Sequence, residues 1–176
     1  MEQWIRDLPL KSVVIMRGIP GSGKSTNALR IGETSGRLWY ICSADEYFYD
    51  GLQYNFNPYE LSTAHEKCLE NFQRALDWGC PLIILDNTNI LRQHYRAYEE
   101  LARSSEYHIN VVQMVDTDEN LCFLRNVHGV PRIAINRMNR SLLREDDVRA
   151  YRVPMLPPTE VELGNLEVQA RPAQRQ

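Results

Sequence analysis

Gly18-Ile19-Pro20-Gly21-Ser22-Gly23-Lys24-Ser25, followed by Thr26, has the spacing Gly-x-x-x-x-Gly-Lys-Ser. That is the pattern of a phosphate-binding loop. Glycines let successive backbone N–H groups turn inward onto phosphate oxygens, the lysine brings a mobile point charge to the β/γ-phosphates, and the serine hydroxyl can ligate Mg²⁺. Gly18, Pro20, Gly21, Ser22, Gly23, Lys24, Ser25 and Thr26 are the expected nucleotide contacts, with ATP and Mg²⁺ as the expected ligands. Just upstream, Ser12-Val13-Val14-Ile15-Met16 is an apolar run suited to a parallel strand buried on both faces. Downstream, Ser25 to Gly32 suits a helix, so strand, loop and helix fall in the order the motif needs.

The alternation continues along the chain. Arg37 to Cys42 predicts a second strand, and the polar, tyrosine-rich stretch Tyr47 to Asn57 a loop. Asn57-Pro58-Tyr59-Glu60 reads as a helix start, with Asn57 as cap, Pro58 in the first helical position and Glu60 spaced to bond back. Leu61, Ala64, Cys68, Phe72, Ala75 and Leu76 then make one apolar face, which Gly79 ends. Pro81 to Asp86 predicts a third strand, Tyr95, Tyr98, Leu101 and Ala102 mark a helix, Tyr107 to Val115 a fourth strand, and Asp118 to Arg125 another helix. The fold class expected is α/β, a P-loop NTPase with an open, mostly parallel sheet flanked by helices and joined by right-handed crossovers. The domain is expected over residues 1–153. In the tail, 154–176, Val161 to Val168 alternates with period two around Gly164-Asn165, which predicts either a short β-hairpin or disorder.

The chain has 176 residues and a net charge of −3. Its length suits one domain, and its charge argues against a broad nucleic-acid coat while leaving room for a local basic patch. One such patch is present: between Leu121 and Val153, seven arginines (Arg125, Arg132, Arg137, Arg140, Arg144, Arg149 and Arg152) face only Glu145, Asp146 and Asp147. That segment predicts an arginine-rich lid, with Gly129 and Pro131 shaping its turn, because phosphoryl transfer depends on positioning and charge stabilisation. No apolar run is long enough to span a membrane, and Met1 to Leu10 lacks the pattern of a secretory signal. A soluble, cytoplasmic protein without membrane contact is expected, with Cys42, Cys68, Cys80 and Cys122 as buried reduced thiols.

Ligands of open parallel sheets sit beyond the carboxyl ends of the strands. Asp45, Asp86 and Asp116 each follow a strand. Asp86, with Ser25, is expected to hold Mg²⁺, and Asp45 to take the proton from an attacking hydroxyl. Two structural alternatives stay open. Ser43-Ala44-Asp45-Glu46 has the spacing of a capping box, and Asp86 could be a turn-forming acid bonded to Thr88. The four histidines show no metal-site spacing with one another, and among them only His128 falls in the lid segment.

Taken in order, Gly18–Thr26, Ala44-Asp45-Glu46-Tyr47-Phe48, Ala64-His65 with Cys68, Leu85-Asp86-Asn87-Thr88-Asn89, and Arg125-Asn126-Val127-His128-Gly129-Val130-Pro131 resemble the motifs of the polynucleotide-kinase-type P-loop kinases, with their AAA/zeta-toxin-like ATP-binding domain. Within that group the chain is most similar to the kinase-like domains of ubiquitin-ligase-binding and cyclic-nucleotide-phosphodiesterase proteins. The resemblance spans roughly Val13 to Met138. It implies ATP-dependent phosphorylation of a 5′-hydroxyl on RNA or DNA, with Lys24, Asp45 and Arg125 catalytic, Ser25 at the metal, Arg132 at the nucleotide, and Thr88 and Asn89 at the site edge. The chain departs from the pattern at two positions. Phe48 stands where the bacteriophage enzyme carries an arginine for the acceptor phosphate, and Asn87 stands where an acid precedes the Thr-Asn pair. A small-molecule acceptor (nucleoside or sugar) and a non-enzymatic ATP-binding module are the alternatives.

Overall fold

Six consecutive buried residues, Ser12–Arg17, form β1 at the centre of a five-stranded sheet of order β2-β3-β1-β4-β5. The computed structural model describes residues 2–145 and 149–170. Its elements in chain order are α1 (Glu2–Arg6), β1, α2 (Lys24–Thr34), β2 (Trp39–Cys42), 3₁₀ turns at Ala44–Phe48 and Pro58–Glu60, α3 (Leu61–Asp77) and β3 (Leu82–Leu85). A 3₁₀ turn at Arg92–His94, α4 (Arg96–Ser104), β4 (His108–Val115), α5 (Glu119–Arg125), α6 (Arg132–Arg144), β5 (Tyr151–Pro154) and α7 (Glu160–Ala170) complete it. Every strand pairing is parallel, as expected of strands separated by helical crossovers. The anticipated fold class is therefore the one observed.

Because side chains alternate along a strand, β1 serves two cores at once. Val13 and Ile15 point to a cluster that includes Phe72, Leu76, Tyr95 and Tyr98 from α3 and the α4 region. Val14 and Met16 point to the opposite cluster, with Ala28 and Ile31 of α2 and Ile5 and Leu8 near the N terminus. A third cluster, Ile19, Ile90, Cys122, Ile135 and Leu142, seats α5 and α6 against the loops that follow β1 and β3. Two elements lie outside the sequence expectation. In α1, Ile5 is buried and Trp4 stacks on Tyr151 at 4.5 Å, while β5 extends the sheet by pairing Tyr151–Pro154 with Val112–Val115.

The tail corrects the sequence reading, since Val161–Val168 lies in helix α7 and not in a hairpin. Thr159 and Glu162 form a reciprocal cap: the Glu162 N–H donates to Thr159 Oγ1 (3.3 Å) and the Thr159 N–H to Glu162 Oε2 (2.8 Å). This Thr-x-x-Glu box starts a helix, and that outweighs the period-two pattern. Residues 171–176 of the expected tail lie outside the described residues. The four cysteines are free and buried. Among the described residues, no helix is long and apolar enough to cross a membrane.

Candidate functional site

The loop after β1 is shaped by two glycines with left-handed backbones, Gly21 (φ 77°) and Gly23 (φ 91°). A side chain at Gly21 is excluded twice, because such a φ disfavours L-residues and a Cβ would lie 2.0 Å from the Cys122 carbonyl oxygen. Gly23 caps α2 without a side-chain acceptor, leaving the amides of the first turn to bind an anion. Lys24 folds back over the loop and donates from Nζ to the Ile19 carbonyl (2.9 Å). Burial lowers its pKa, while the carboxylates of Asp86 and Asp45 act the other way.

Asp86 leaves β3 beside this lysine and is itself buried. Burial raises its pKa, opposed first by Lys24 and then by a hydrogen bond from Ser25. Asp86 Oδ1 and Ser22 Oγ are buried without a hydrogen-bond partner. Two orphaned oxygens beside a lysine and a serine hydroxyl fit a phosphate chain with a hard, oxygen-seeking cation. The turn-forming alternative for Asp86 is not what the geometry shows, since Asp86 reaches Ser25 and Thr88 is used through its carbonyl, which accepts the Gly18 N–H at 3.0 Å.

Asp45 sits in the 3₁₀ turn after β2. Ser43 Oγ does accept the Asp45 N–H (3.2 Å), so capping is real, but the Asp45 carboxylate faces elsewhere. Tyr54 donates its hydroxyl to Oδ1 (3.1 Å), and His128 Nε2 from the α5–α6 loop stands 3.7 Å from Oδ2. The Tyr54 and His128 rings are in contact, with centroids 4.5 Å apart. Burial and the charge of Asp45 push the Tyr54 phenol pKa up. Asn87 ties this turn to β3: its Oδ1 accepts the Ala44 N–H (2.9 Å) and its Nδ2 donates to Cys68 Sγ (3.5 Å). Lys24, Ser25, Asp45, Asp86 and His128 are therefore brought to one sheet edge.

Other expected positions serve the scaffold. Asn89 has a positive φ of 46° and donates from Nδ2 to the Met16 carbonyl (2.8 Å), fixing the loop after β3 to β1. Asp116 is exposed at the end of β4. Phe48 is buried in the core, packed against Phe56 and Tyr54, and is not a substitute acceptor contact. Tyr54 is a participant the sequence does not single out, and Asn87 stands out there only as a departure from the family pattern. Asn87 acts on Ala44 and Cys68, 43 and 19 residues away, and Tyr54 meets Asp45 nine residues upstream across an irregular loop, which no motif spacing encodes.

The lid arginines divide. Arg132 lies over the Phe123 ring at 4.5 Å and donates to Asn120, while Arg137, Arg140 and Arg144 are exposed on α6. Arg125, expected to serve the lid, is turned toward the C-terminal segment in this structure. Its Nε and Nη2 donate to Glu162 at 2.8 and 2.9 Å, and Nη1 and Nη2 reach the carbonyls of Leu156 and Pro157. This bidentate clasp fastens α7 to α5 and holds the Glu162 carboxyl down to about 2. A carboxyl depressed on folding supports the docked state above the ordinary carboxylate range and loses that support as pH falls toward 2. Glu162→Gln should therefore speed proteolytic cleavage of the C-terminal segment several-fold at neutral pH, with the difference from wild type vanishing near pH 2 under an acid protease. Equal cleavage at neutral pH would show that α7 is held by other contacts.

Residues 13–144 match the model of an AAA domain family. The human NEDD4-binding protein 2 is 34% identical over 130 residues, 72% of this chain, and the chain spans about 7% of that protein's length. A chain of the Pnkp1/Rnl/Hen1 RNA repair complex superposes with a TM-score of 0.60 at 20% identity, covering 86% of this chain and 50% of that one. A gluconokinase from Sinorhizobium meliloti 1021 gives 0.56 at 18% identity, covering 92% and 95%. Both are similar to this chain in fold. With most of its length inside the family model, from the strand before the phosphate loop to the end of α6, the chain belongs to this AAA domain family and has its P-loop, kinase-like fold.

Proposed function

We propose that the protein is an ATP-dependent phosphotransferase that acts on the 5′-hydroxyl of RNA or DNA. The observation that carries this reading is the approach of Asp45 to Lys24 and Asp86, which sets a base for a hydroxyl beside a phosphate loop. Loop amides and Lys24 hold the phosphates, Ser25 and Asp86 hold Mg²⁺, and Arg132 closes on the nucleotide. When bound, ATP supplies the phosphoryl group and Mg²⁺ offsets its charge. Tyr54 occupies Asp45 Oδ1, so Oδ2 is the oxygen left for the acceptor proton, and His128 moves aside or turns to admit the hydroxyl. Around Tyr54, the partly exposed rings of Tyr47, Tyr49 and Phe56 offer faces on which a base can stack.

One observation favours a small, neutral acceptor as the second reading. A cleft of about 440 Å³ between α3 and the loop after β3 is lined by Ser62, His65, Thr88 and His94 among others, and by no lysine or arginine. Burial and the neighbouring His65 lower the His94 pKa, which favours a neutral imidazole. Such a wall suits hydroxyl groups better than phosphates.

Asp45→Asn should leave ATP affinity unchanged and slow transfer by about a hundredfold, the scale for loss of a general base. The assay is transfer from γ-labelled ATP to a panel of 5′-hydroxyl RNA, 5′-hydroxyl DNA, nucleosides and sugars. Label on the oligonucleotides supports the proposal, and label on nucleosides or sugars alone moves the assignment to the second reading. ATP binding with no labelled acceptor overturns both.

A further inference from the structure

Between the 3₁₀ turns at Ala44–Phe48 and Pro58–Glu60 the chain makes a short hairpin whose tip lies outside the core. Tyr49 and Tyr54 bridge it in antiparallel fashion, the Asp50 N–H donates to the Gln53 carbonyl (3.2 Å), and the Asn55 N–H donates to the Phe48 carbonyl (2.8 Å). At the tip Gly51 has a left-handed backbone (φ 93°) and Leu52 is 93% exposed, so apolar burial does not hold the turn in shape. The Asp50 side chain holds it instead. Its Oδ1 accepts the N–H groups of Leu52 (2.9 Å) and Gln53 (2.8 Å), and its Oδ2 accepts Asn55 Nδ2 (3.0 Å). The bonds from Gln53 and then Leu52 keep the Asp50 carboxyl below the usual carboxylate range.

What the hairpin delivers is the Tyr54 hydroxyl. The Tyr54 ring is set edge-on to Phe48 (6.0 Å between centroids) and packs against Tyr49 (5.1 Å) and His128 (4.5 Å), and its Oη donates to Asp45 Oδ1 at 3.1 Å. The χ2 torsion of an aspartate is soft, so a contact on one oxygen decides where the other points. His128 Nε2, at 3.7 Å from Oδ2, stands beyond ordinary hydrogen-bond length and does not fix it.

The donor is also neutral. From Leu38 to Glu66 the sequence has no lysine or arginine, and a cation in the place of the Tyr54 hydroxyl would pair with Asp45 and weaken it as a base. Burial, and then the charge of Asp45, push the Tyr54 phenol up, so it keeps its proton and remains a donor. The other groups that face Asp45 come from separate elements: Lys24 of α2, Asp86 after β3, Cys68 of α3 and His128. Lys24 favours the ionised carboxylate and Asp86 opposes it, so the Tyr54 hydrogen bond acts on the same side as the lysine.

We infer that Tyr54 is a positioning residue for Asp45, and that Asp50 controls the transfer rate at one remove, by holding the hairpin that presents Tyr54. This rests on the phosphotransferase reading above and extends it to a turn outside the phosphate site. In the step, the acceptor oxygen bonds the γ-phosphorus while the bond from that phosphorus to the β–γ bridging oxygen breaks, its electron pair leaving on ADP. The acceptor proton passes to Asp45 Oδ2. Tyr54 keeps its own proton throughout and stays donated to Oδ1.

The test is steady-state transfer from γ-labelled ATP, across pH, to a 5′-hydroxyl oligonucleotide or to whichever acceptor of the panel takes the label. Tyr54→Phe keeps the ring and its packing and removes only the hydroxyl. It should lower kcat about tenfold at neutral pH and leave KM for ATP unchanged, because a base slightly out of place slows the chemistry without touching the phosphate loop. The acid limb of its pH–rate profile should move up by about one pH unit, since a hydrogen bond to the ionised carboxylate is lost. Asp50→Ala, at an exposed turn, should lower kcat about threefold with the acid limb moving the same way, and should slow the Tyr54→Phe variant no further, as expected of residues acting through one contact. Slower transfer with an unmoved acid limb would assign Tyr54 a packing role and overturn the inference, as would losses for the two variants that multiply. Wild-type kcat and pH profile in Tyr54→Phe overturn it while the phosphotransferase reading stands. A wild-type chain that labels no acceptor overturns that reading and this inference with it.

Discussion

Lys24→Ala is expected to reduce phosphoryl transfer by roughly 10³-fold, a magnitude typical of removing a charge that stabilises the phosphoryl-transfer transition state. Three features make the loss large. Lys24 is buried, so its interactions act in a weakly screened environment. It belongs to the loop, held 2.9 Å from the Ile19 carbonyl, and needs little reorganisation to follow a phosphate. It is also the largest influence favouring ionised Asp86. Without that cation the Asp86 carboxyl, already raised by burial, rises further and takes up a proton more readily. Residual activity in the variant should therefore increase with pH over a range where the wild type is flat. Single-turnover transfer from γ-labelled ATP across pH measures both effects, and a wild-type rate at neutral pH would remove Lys24 from the chemistry.

The second large effect lies under the site. Arg17 ends β1 with no exposed surface. It donates to the carbonyls of Asn89 (3.0 Å), Ile90 (2.9 Å) and Glu145 (2.9 Å) and to Gln113 Oε1 (2.9 Å), with the Tyr95 ring 5.6 Å away. One guanidinium thus joins β1, β4, the loop after β3 and the end of α6. Arg17→Met would strand these acceptors away from water, at about 1–3 kcal/mol for each unsatisfied group. A total near 4 kcal/mol or more is expected, a large fraction of the roughly 5–15 kcal/mol that stabilises an ordinary domain. Arg17→Lys should recover only part, because an ammonium lacks the planar fork that reaches four acceptors at once. Urea unfolding midpoints for the three proteins test this, and equal midpoints would show that solvent replaces the arginine.

What was legible in the sequence was local. The phosphate loop could be read because its glycines, lysine and serine act on a ligand through their own backbone and short side chains, and β1, β3 and β4 because strands covered on both faces need long apolar runs. β5 was not legible: only Val153 of its four residues is buried, so Tyr151–Pro154 carries no run to detect. The tail deceived for a different reason. Its alternating Val and Leu residues mimic a strand, while Thr159 and Glu162 start a helix that Arg125, 37 residues upstream of Glu162, then holds in place. Asp45 could be picked out after β2, but the Tyr54 hydroxyl and the His128 ring that flank it depend on tertiary folding. Arg17 reads in isolation as a surface cation at a strand end, and its burial is visible only when four acceptors are seen to converge.

The strand order has a consequence for how the molecule forms. β1 comes early in the chain and lies in the middle of the sheet, and its partners are distant: Ser12 pairs with Leu82 and with His108, separations of 70 and 96 residues. Closing such long loops costs entropy before any pairing offsets it, which makes topologies of this kind slow to fold. Within this domain the phosphate loop is made before most of the sheet, yet the strand that aims it has no neighbour on one side until β4 has been made. Nascent chains ending before residue 115 would carry the whole motif without the frame that orients it. Nucleotide binding should therefore arise late in synthesis, together with completion of the sheet.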